Sequence, residues 1–307
     1  MNECVVQPVS NQTDQLIKVD ISCILPESPD YPQSLHHYKP QVKMLFAKGA
    51  SDLLTTTKKV SIVGSRKPTA YGRKVAYDLG RFLAKNGICV VSGMAIGIDS
   101  QAHKGALDEA GKTIAVLASG VNYIYPPSNE KMYHAIQASG GLILSEQLMD
   151  EPPRPYHFPL RNRIISALSE VVVIIEAGEK SGSLITAMHA MEQGKTIFAL
   201  PGSIYSPQSA GTNKLIFEGA TPLIHFGHIL ESLGLSINNE RRQTPRIDHL
   251  SLLAQNIYSL LCTEKKLDTD AIFGATLKEY SEIYAAISEL ILDDLCEYSS
   301  LNEIRLI

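Results

Sequence analysis

The chain reads as an α/β protein: an extended Rossmann-like, doubly wound and mostly parallel sheet followed by a small winged-helix-like domain. Three observations carry that expectation. Short β-branched runs alternate with longer amphipathic segments from Val60 to about Leu233, and such alternation demands crossover connections and hence parallel strands. The runs are apolar throughout, as strands covered on both faces must be. After Leu233 the pattern changes to helices closed by a short tail.

The elements follow in order. Pro8, Pro26, Pro29, Pro32 and Pro40 interrupt the first 40 residues, so 1–25 reads as an extension and 26–235 as the sheet domain. Strands are expected at Val60–Val63, Ile88–Val91, Thr113–Leu117, Leu142–Leu144, Val171–Ile175, Thr196–Leu200 and Pro222–Ile224. In Tyr71–Asn86, the residues Val75, Leu79, Phe82 and Leu83 share one helical face, and Asn86-Gly87 supplies a stop. Asp99–Ala110, Asn129–Ser139 and Ser183–Gln193 repeat the pattern and are closed by Gly111, Gly140 and Gly194. Residues 236–247 are polar and read as a linker. In 248–307, helices at Ile247–Leu261 and Tyr280–Leu295, a short helix starting in Leu267–Ala271 and a hairpin in Glu297–Ile307 give the layout of a winged helix.

Bulk properties narrow the function. The 307 residues are 44% hydrophobic and 20% charged, as in ordinary soluble domains. No apolar run reaches the roughly 18 residues of a membrane helix, and the N-terminus lacks the pattern of a secretion signal. The five cysteines (Cys4, Cys23, Cys89, Cys262 and Cys296) form no CxxC pair, so neither a disulfide frame nor a metal site is expected, and a cytoplasmic location is. The net charge is −4. From Thr244 onward there are 11 Asp/Glu and 5 Lys/Arg, a net of −6. Such a module repels phosphate and suits a protein contact. Any nucleic-acid site must therefore be a local basic one in the sheet domain.

Ligands of a doubly wound sheet bind at the carboxyl ends of its strands, and four loops there carry chemistry. Gly64-Ser65-Arg66-Lys67 combines a tight turn, a hydroxyl and a forked donor. It lacks the GxGxxG spacing and the acidic ribose partner about 20 residues on, so no dinucleotide cofactor is expected. Ser92–Asp99 passes through Gly93 and Gly97 and leads to His103. Asp99 reads as a helix N-cap; no nucleophile accompanies the Asp99–His103 pair, so no catalytic residue is assigned. The long loop Glu146–Leu160 holds Arg154 and His157 and runs into Phe158-Pro159-Leu160-Arg161-Asn162-Arg163. That hexamer joins two arginines, an amide and a ring suited to phosphate and to base stacking. Glu176–Ser183 brings Lys180 and Ser181-Gly182-Ser183 to the start of a helix carrying Thr186, an anion site made of amides and hydroxyls. Ser183 reads as a possible N-cap there. Pro201-Gly202 ends on the same edge. The set points to binding a phosphate chain without breaking it.

These loops, in this order, resemble the DNA-processing protein A family (DprA, also called Smf). The resemblance rests on Ile62–Arg66, Ser92–Asp99 with His103, Tyr125-Pro126, Ser145-Glu146 and Phe158–Ile165. It continues through Ser181–Ala187, Pro201-Gly202, Gly211–Asn213 and Gly219-Ala220. It covers about residues 30–235. It implies a sequence-independent single-stranded DNA binder that dimerises through the sheet domain, protects incoming DNA during natural transformation and helps load the RecA recombinase. Within it, Arg66, Arg161 and Arg163 line a phosphate pocket. The alternative is a nucleotide-binding sensor or nucleotide-processing enzyme on a related fold, although the catalytic glutamate of such enzymes is missing from Ser181–Thr186.

Overall fold

The computed structural model describes residues 21–36, 40–235, 247, 249–264, 266–293, 295–299 and 302–306. The expected linker at 236–247, apart from residue 247, and most of the expected extension at 1–25 lie outside them. The described residues fall into two compact units, on either side of residue 237.

In the first unit the strands are β1 (Ile21–Ile24), β2 (Leu45–Gly49), β3 (Lys59–Val63), β4 (Cys89–Ser92), β5 (Thr113–Val116), β6 (Leu142–Ser145), β7 (Val171–Ile174), β8 (Thr196–Ala199) and β9 (Thr221–Pro222). They form one sheet in the order β1-β2-β6-β5-β4-β3-β7-β8-β9. The seven strands from β6 to β9 are parallel, and β1 and β2 add an antiparallel edge. Every residue of β3 to β7 is buried, the polar Lys59, Ser61, Ser92, Thr113 and Ser145 included, as strands covered on both faces require. β1 and β2 were not expected from the sequence. β1 is a four-residue edge strand with two exposed positions, and only its partner β2 fixes it as a strand. The sheet accordingly begins at Ile21 rather than near Pro26.

The helices are α1 (Leu53–Thr56), α2 (Ala70–Lys85), α3 (Ile98–Asp108), α4 (Glu130–Ala138), α5 (His157–Leu168), α6 (Gly182–Glu192), α7 (Ala210–Phe217) and α8 (Gly227–Ser232). They divide over the two faces. Ile164, Ile165, Ala187 and Ala190 of α5 and α6 pack on Val63, Val91, Val172 and Ile174. Leu79, Leu83, Ala102 and Ala106 of α2 and α3 pack on Val60, Ile62, Val90 and Val173. On α2 the expected face holds, with Leu79 and Leu83 fully buried and Val75 and Phe82 packed against them.

Two cap assignments are corrected. Gly97, at φ 89°, precedes α3, and Asp99 lies inside the first turn instead of capping it. For α6 the cap is Ser181, whose Oγ accepts from the Ser183 amide at 3.3 Å; Ser183 is itself in the helix.

The second unit contains α9 (Leu252–Glu264), β10 (Lys266–Asp268), α10 (Thr269–Thr276), α11 (Tyr280–Leu292), β11 (Cys296–Tyr298) and β12 (Glu303–Leu306). β12 pairs with both β10 and β11. The sequence pattern had missed β10, whose three residues run directly into the N-cap Asp268 of α10. Ile257, Leu261, Ile272, Ile283, Ile287 and Ile304 fill a separate small core.

Candidate nucleic-acid interface

The sheet order itself creates the site. From β3 the strand order proceeds through β4 to β6 in one direction and through β7 to β9 in the other. Loops leaving β3 and β7 therefore diverge, and a crevice opens at this reversal. It holds a cavity of about 620 Å³. Its walls include Gly64–Lys67 after β3, Ala95 and Asp99 after β4, Phe158, Pro159, Arg161 and Asn162 at the start of α5, and Gly178 with Lys180–Ser183 after β7. Twelve of the fourteen residues expected to bind DNA line it: Gly64, Ser65, Arg66, Lys67, Phe158, Arg161, Asn162, Lys180, Ser181, Gly182, Ser183 and Thr186.

The remaining two do not. Arg163 is 3% exposed and points into the protein, where one guanidinium nitrogen donates to both carboxylate oxygens of Glu146 at 2.7 and 2.6 Å. Helical geometry explains the split: residues two apart on a helix face different ways, so Arg161 and Arg163 cannot share one wall. Arg154 lies on the exposed loop, bonded to Tyr156 Oη at 3.2 Å and paired with Glu151 at 2.9 Å.

Arg161 forms the floor. Its Nη1 donates to the carbonyl of Gly93 at 2.6 Å and to that of Val116, and its Nε to Asn162 Oδ1 at 3.2 Å. Burial pushes its pKa down to about 10, and nearby Asp99 opposes that shift. It remains a cation at neutral pH. Gly93 is required beside it, because a β-carbon there would come within 2.7 Å of the guanidinium. Asp99 holds the same loop from below, accepting from the amides of Gly93 at 3.1 Å and Ala95 at 3.4 Å. Burial raises its pKa and Arg161 counters that rise. His103 is fully buried, with Nδ1 2.7 Å from Thr113 Oγ1, and burial with Arg161 nearby lowers its pKa to about 3. It is a neutral core histidine beneath the site.

The rim is built differently. Arg66, Lys67 and Lys180 are exposed, and no carboxylate pairs with them among the described residues. The Arg66 guanidinium stacks over the Phe158 ring at 5.1 Å. The Ser65 hydroxyl accepts from the Lys67 amide at 3.0 Å and donates to Gln208 at 3.2 Å. Asn162 ties the floor to the far wall by donating to the Gly182 carbonyl at 3.2 Å. Beside Gly182 the space is open, so a ligand can approach the backbone closely. Gly97 lets the β4 loop press against β3's loop, since a β-carbon would meet the Ser65 carbonyl at 2.4 Å. Gly202 packs on Ser209, outside the cavity.

Two participants were not assigned to the site from the sequence, although Tyr125 belongs to a segment that carries the family resemblance. Tyr125 stands edge-on to Phe158 at 5.9 Å and lines a smaller adjoining hollow with Ile96, Phe158 and Arg161. Its signal was the Tyr125-Pro126 pair after β5. Gln208 sits in a loop without any periodic or compositional mark.

Comparison with known proteins agrees with this geometry. The family described as DNA recombination-mediator protein A matches residues 22–234. DNA processing protein DprA of Bacillus subtilis is 42% identical over 69% of this chain and 71% of its own length. Protein Smf of Escherichia coli is 40% identical over 69% of this chain, which spans 56% of that longer protein. The X-ray structure of DprA from Streptococcus pneumoniae superposes with a TM-score of 0.65 at 40% identity, covering 69% of this chain and 74% of that one. DprA from Helicobacter pylori, whose structure concerns its mode of single-stranded DNA binding, gives 0.63 at 36% identity, covering 70% and 96%. No helix among the described residues is long and apolar enough to cross a membrane. A switch-point crevice with a cationic rim, matched along the whole sheet unit, places this chain in the DNA recombination-mediator protein A family.

Proposed function

We propose that the crevice binds single-stranded DNA without sequence preference, as the first step of a recombination-mediator role. The observation that carries this reading is the meeting of twelve expected residues in one cavity, with three cations at its rim that no carboxylate among the described residues pairs with. Arg66, Lys67 and Lys180 meet phosphates, the amides at the start of α6 add donors, and Phe158 with Tyr125 offers ring faces to bases. Asp99 is committed to loop amides and His103 to Thr113, so the site binds a phosphate chain and does not cleave it. Protection of incoming DNA during natural transformation and loading of the RecA recombinase follow from the family resemblance. A homodimer of the sheet unit follows from the family resemblance, and Ile204, Tyr205, Phe217 and Ile224, which are 72–92% exposed, are apolar residues that a second copy would cover.

The test is oligo-dT binding over a salt series. Arg66→Ala with Lys67→Ala is expected to weaken binding equally for all sequences and to lower the salt slope by about one per lost phosphate contact. An unchanged slope would remove the rim from the site. A cavity of this size also suits a small molecule, and turnover of a nucleoside monophosphate by the purified chain would favour the nucleotide-processing reading. Sedimentation of Phe217→Asp, expected to be monomeric, tests the dimer.

A further inference from the structure

The second unit, taken by itself, carries a surface that the DNA-binding reading does not use. Phe273 of α10 and Tyr280 of α11 stack with ring centroids 4.9 Å apart and planes 4° from parallel. Tyr280 donates its hydroxyl to Asp270 at 2.8 Å, and that bond, with smaller contributions from Tyr284 and Asp268, raises its pKa. Tyr284 lies one helical turn further along α11. Burial raises the pKa of Tyr298 on β11, and Tyr284 adds to it. Phe273, Tyr280, Tyr284 and Tyr298 give α10, α11 and β11 a set of aromatic rings, the first two stacked, each residue 39–44% exposed.

Two further features point to use. Leu277, in the turn between α10 and α11, has φ 53° and is 81% exposed. A left-handed backbone costs a leucine on the order of 1 kcal/mol where glycine would fit, and exposing the side chain returns nothing within the unit. The charge is also one-sided. Lys266, Lys278 and Arg305 are each paired with a carboxylate, Glu303, Glu282 and Glu297, while Asp268, Asp270 and Glu279 stand beside these rings without a basic partner among the described residues.

Ring faces and carboxylates attract cations and repel phosphate. We propose that this face of the second unit docks an arginine-bearing, apolar-studded peptide segment of a protein partner. The guanidinium groups lie over the tyrosine rings and against Asp268 and Asp270, and the apolar side chains cover Leu277 and Phe273. This docking is independent of the crevice in the sheet unit.

The experiment uses the full chain and a short fluorescein-labelled peptide of alternating arginine and leucine, followed by anisotropy. Binding is expected to weaken with salt and to fall about tenfold in Leu277→Gly and in Asp270→Asn with Tyr284→Ser. Leu277→Gly removes the strained side chain and is expected to leave thermal stability intact, so its loss of binding cannot be attributed to unfolding. A glutamate–leucine peptide is expected not to bind, and oligo-dT affinity is expected to stay unchanged in all variants. Equal peptide binding by wild type and variants overturns the proposal. So does duplex DNA binding that disappears in Leu277→Gly, which would make the face a nucleic-acid site. A loss of self-association alone would assign the face to a second copy of the chain and equally overturn it.

Discussion

The floor and the rim of the crevice are both built around arginine, yet they work in opposite ways. Arg161 at the floor is 6% exposed and bonded to the carbonyls of Gly93 in the loop after β4 and Val116 at the end of β5. Arg66 at the rim is exposed and rests on an aromatic ring. A buried guanidinium is held by what it satisfies, and removing it leaves carbonyls and Asp99 without their partner. An exposed one has little to lose in the free protein and can turn to a phosphate at small cost. One residue type thus supplies both the rigidity of the site and its affinity, and burial decides which.

The largest expected effect lies beneath the site. Arg163→Ala leaves Glu146 half-buried and unpaired and is expected to cost about 3–5 kcal/mol of stability, read by urea unfolding. A stable Arg163→Ala protein with normal unfolding but weakened oligo-dT binding would reverse the assignment and return Arg163 to the site. Phe158→Ala comes next. If the ring stacks on a base, affinity drops by about 1–3 kcal/mol. Because Phe158 also supports Arg66, the comparison sharpens in Arg66→Ala: a further loss on adding Phe158→Ala isolates stacking from ring support.

The pH dependence probes the floor alone. His103 has a folded pKa of about 3, below its ordinary value of 6.5. The unfolded chain therefore binds a proton that the native state refuses, and stability falls as pH drops through that window, by about 1 kcal/mol per pH unit below 6.5. Asp99, whose pKa is raised in the fold, takes up protons more readily in the native state and opposes this loss at the acid end. Urea midpoints at pH 7 and pH 5 are expected to differ more for wild type than for His103→Gln. The smallest effect belongs to Lys180→Ala: stability within about 0.5 kcal/mol of wild type, with a salt slope lowered by about one. A loss of stability there would mean that the rim, too, is structural.

Much of this was legible because doubly wound proteins announce themselves by period and burial. Val171–Ile174 is apolar at every position and Val60–Val63 at all but Ser61, and the strand ends they predict are the ones that flank the crevice. Glycines and serines in the loops after them marked an anion site for a local reason, namely backbone approach and helix amides. The short antiparallel strand β1 was not legible, because four residues with two exposed positions become a strand only through a neighbour.

The sequence by itself determined the fold class, the loops that carry chemistry and the cationic residues available to them, because these follow from local periodicity and residue type. Tertiary structure decided how those cations are used. Arg161 and Arg163 are two positions apart and chemically identical, but α5 turns one toward the crevice and the other onto Glu146. It also turned Asp99 from a helix cap into an acceptor for the Gly93 and Ala95 amides. Which way a side chain faces depends on helix phase and on distant partners, and neither is written in a run of six residues.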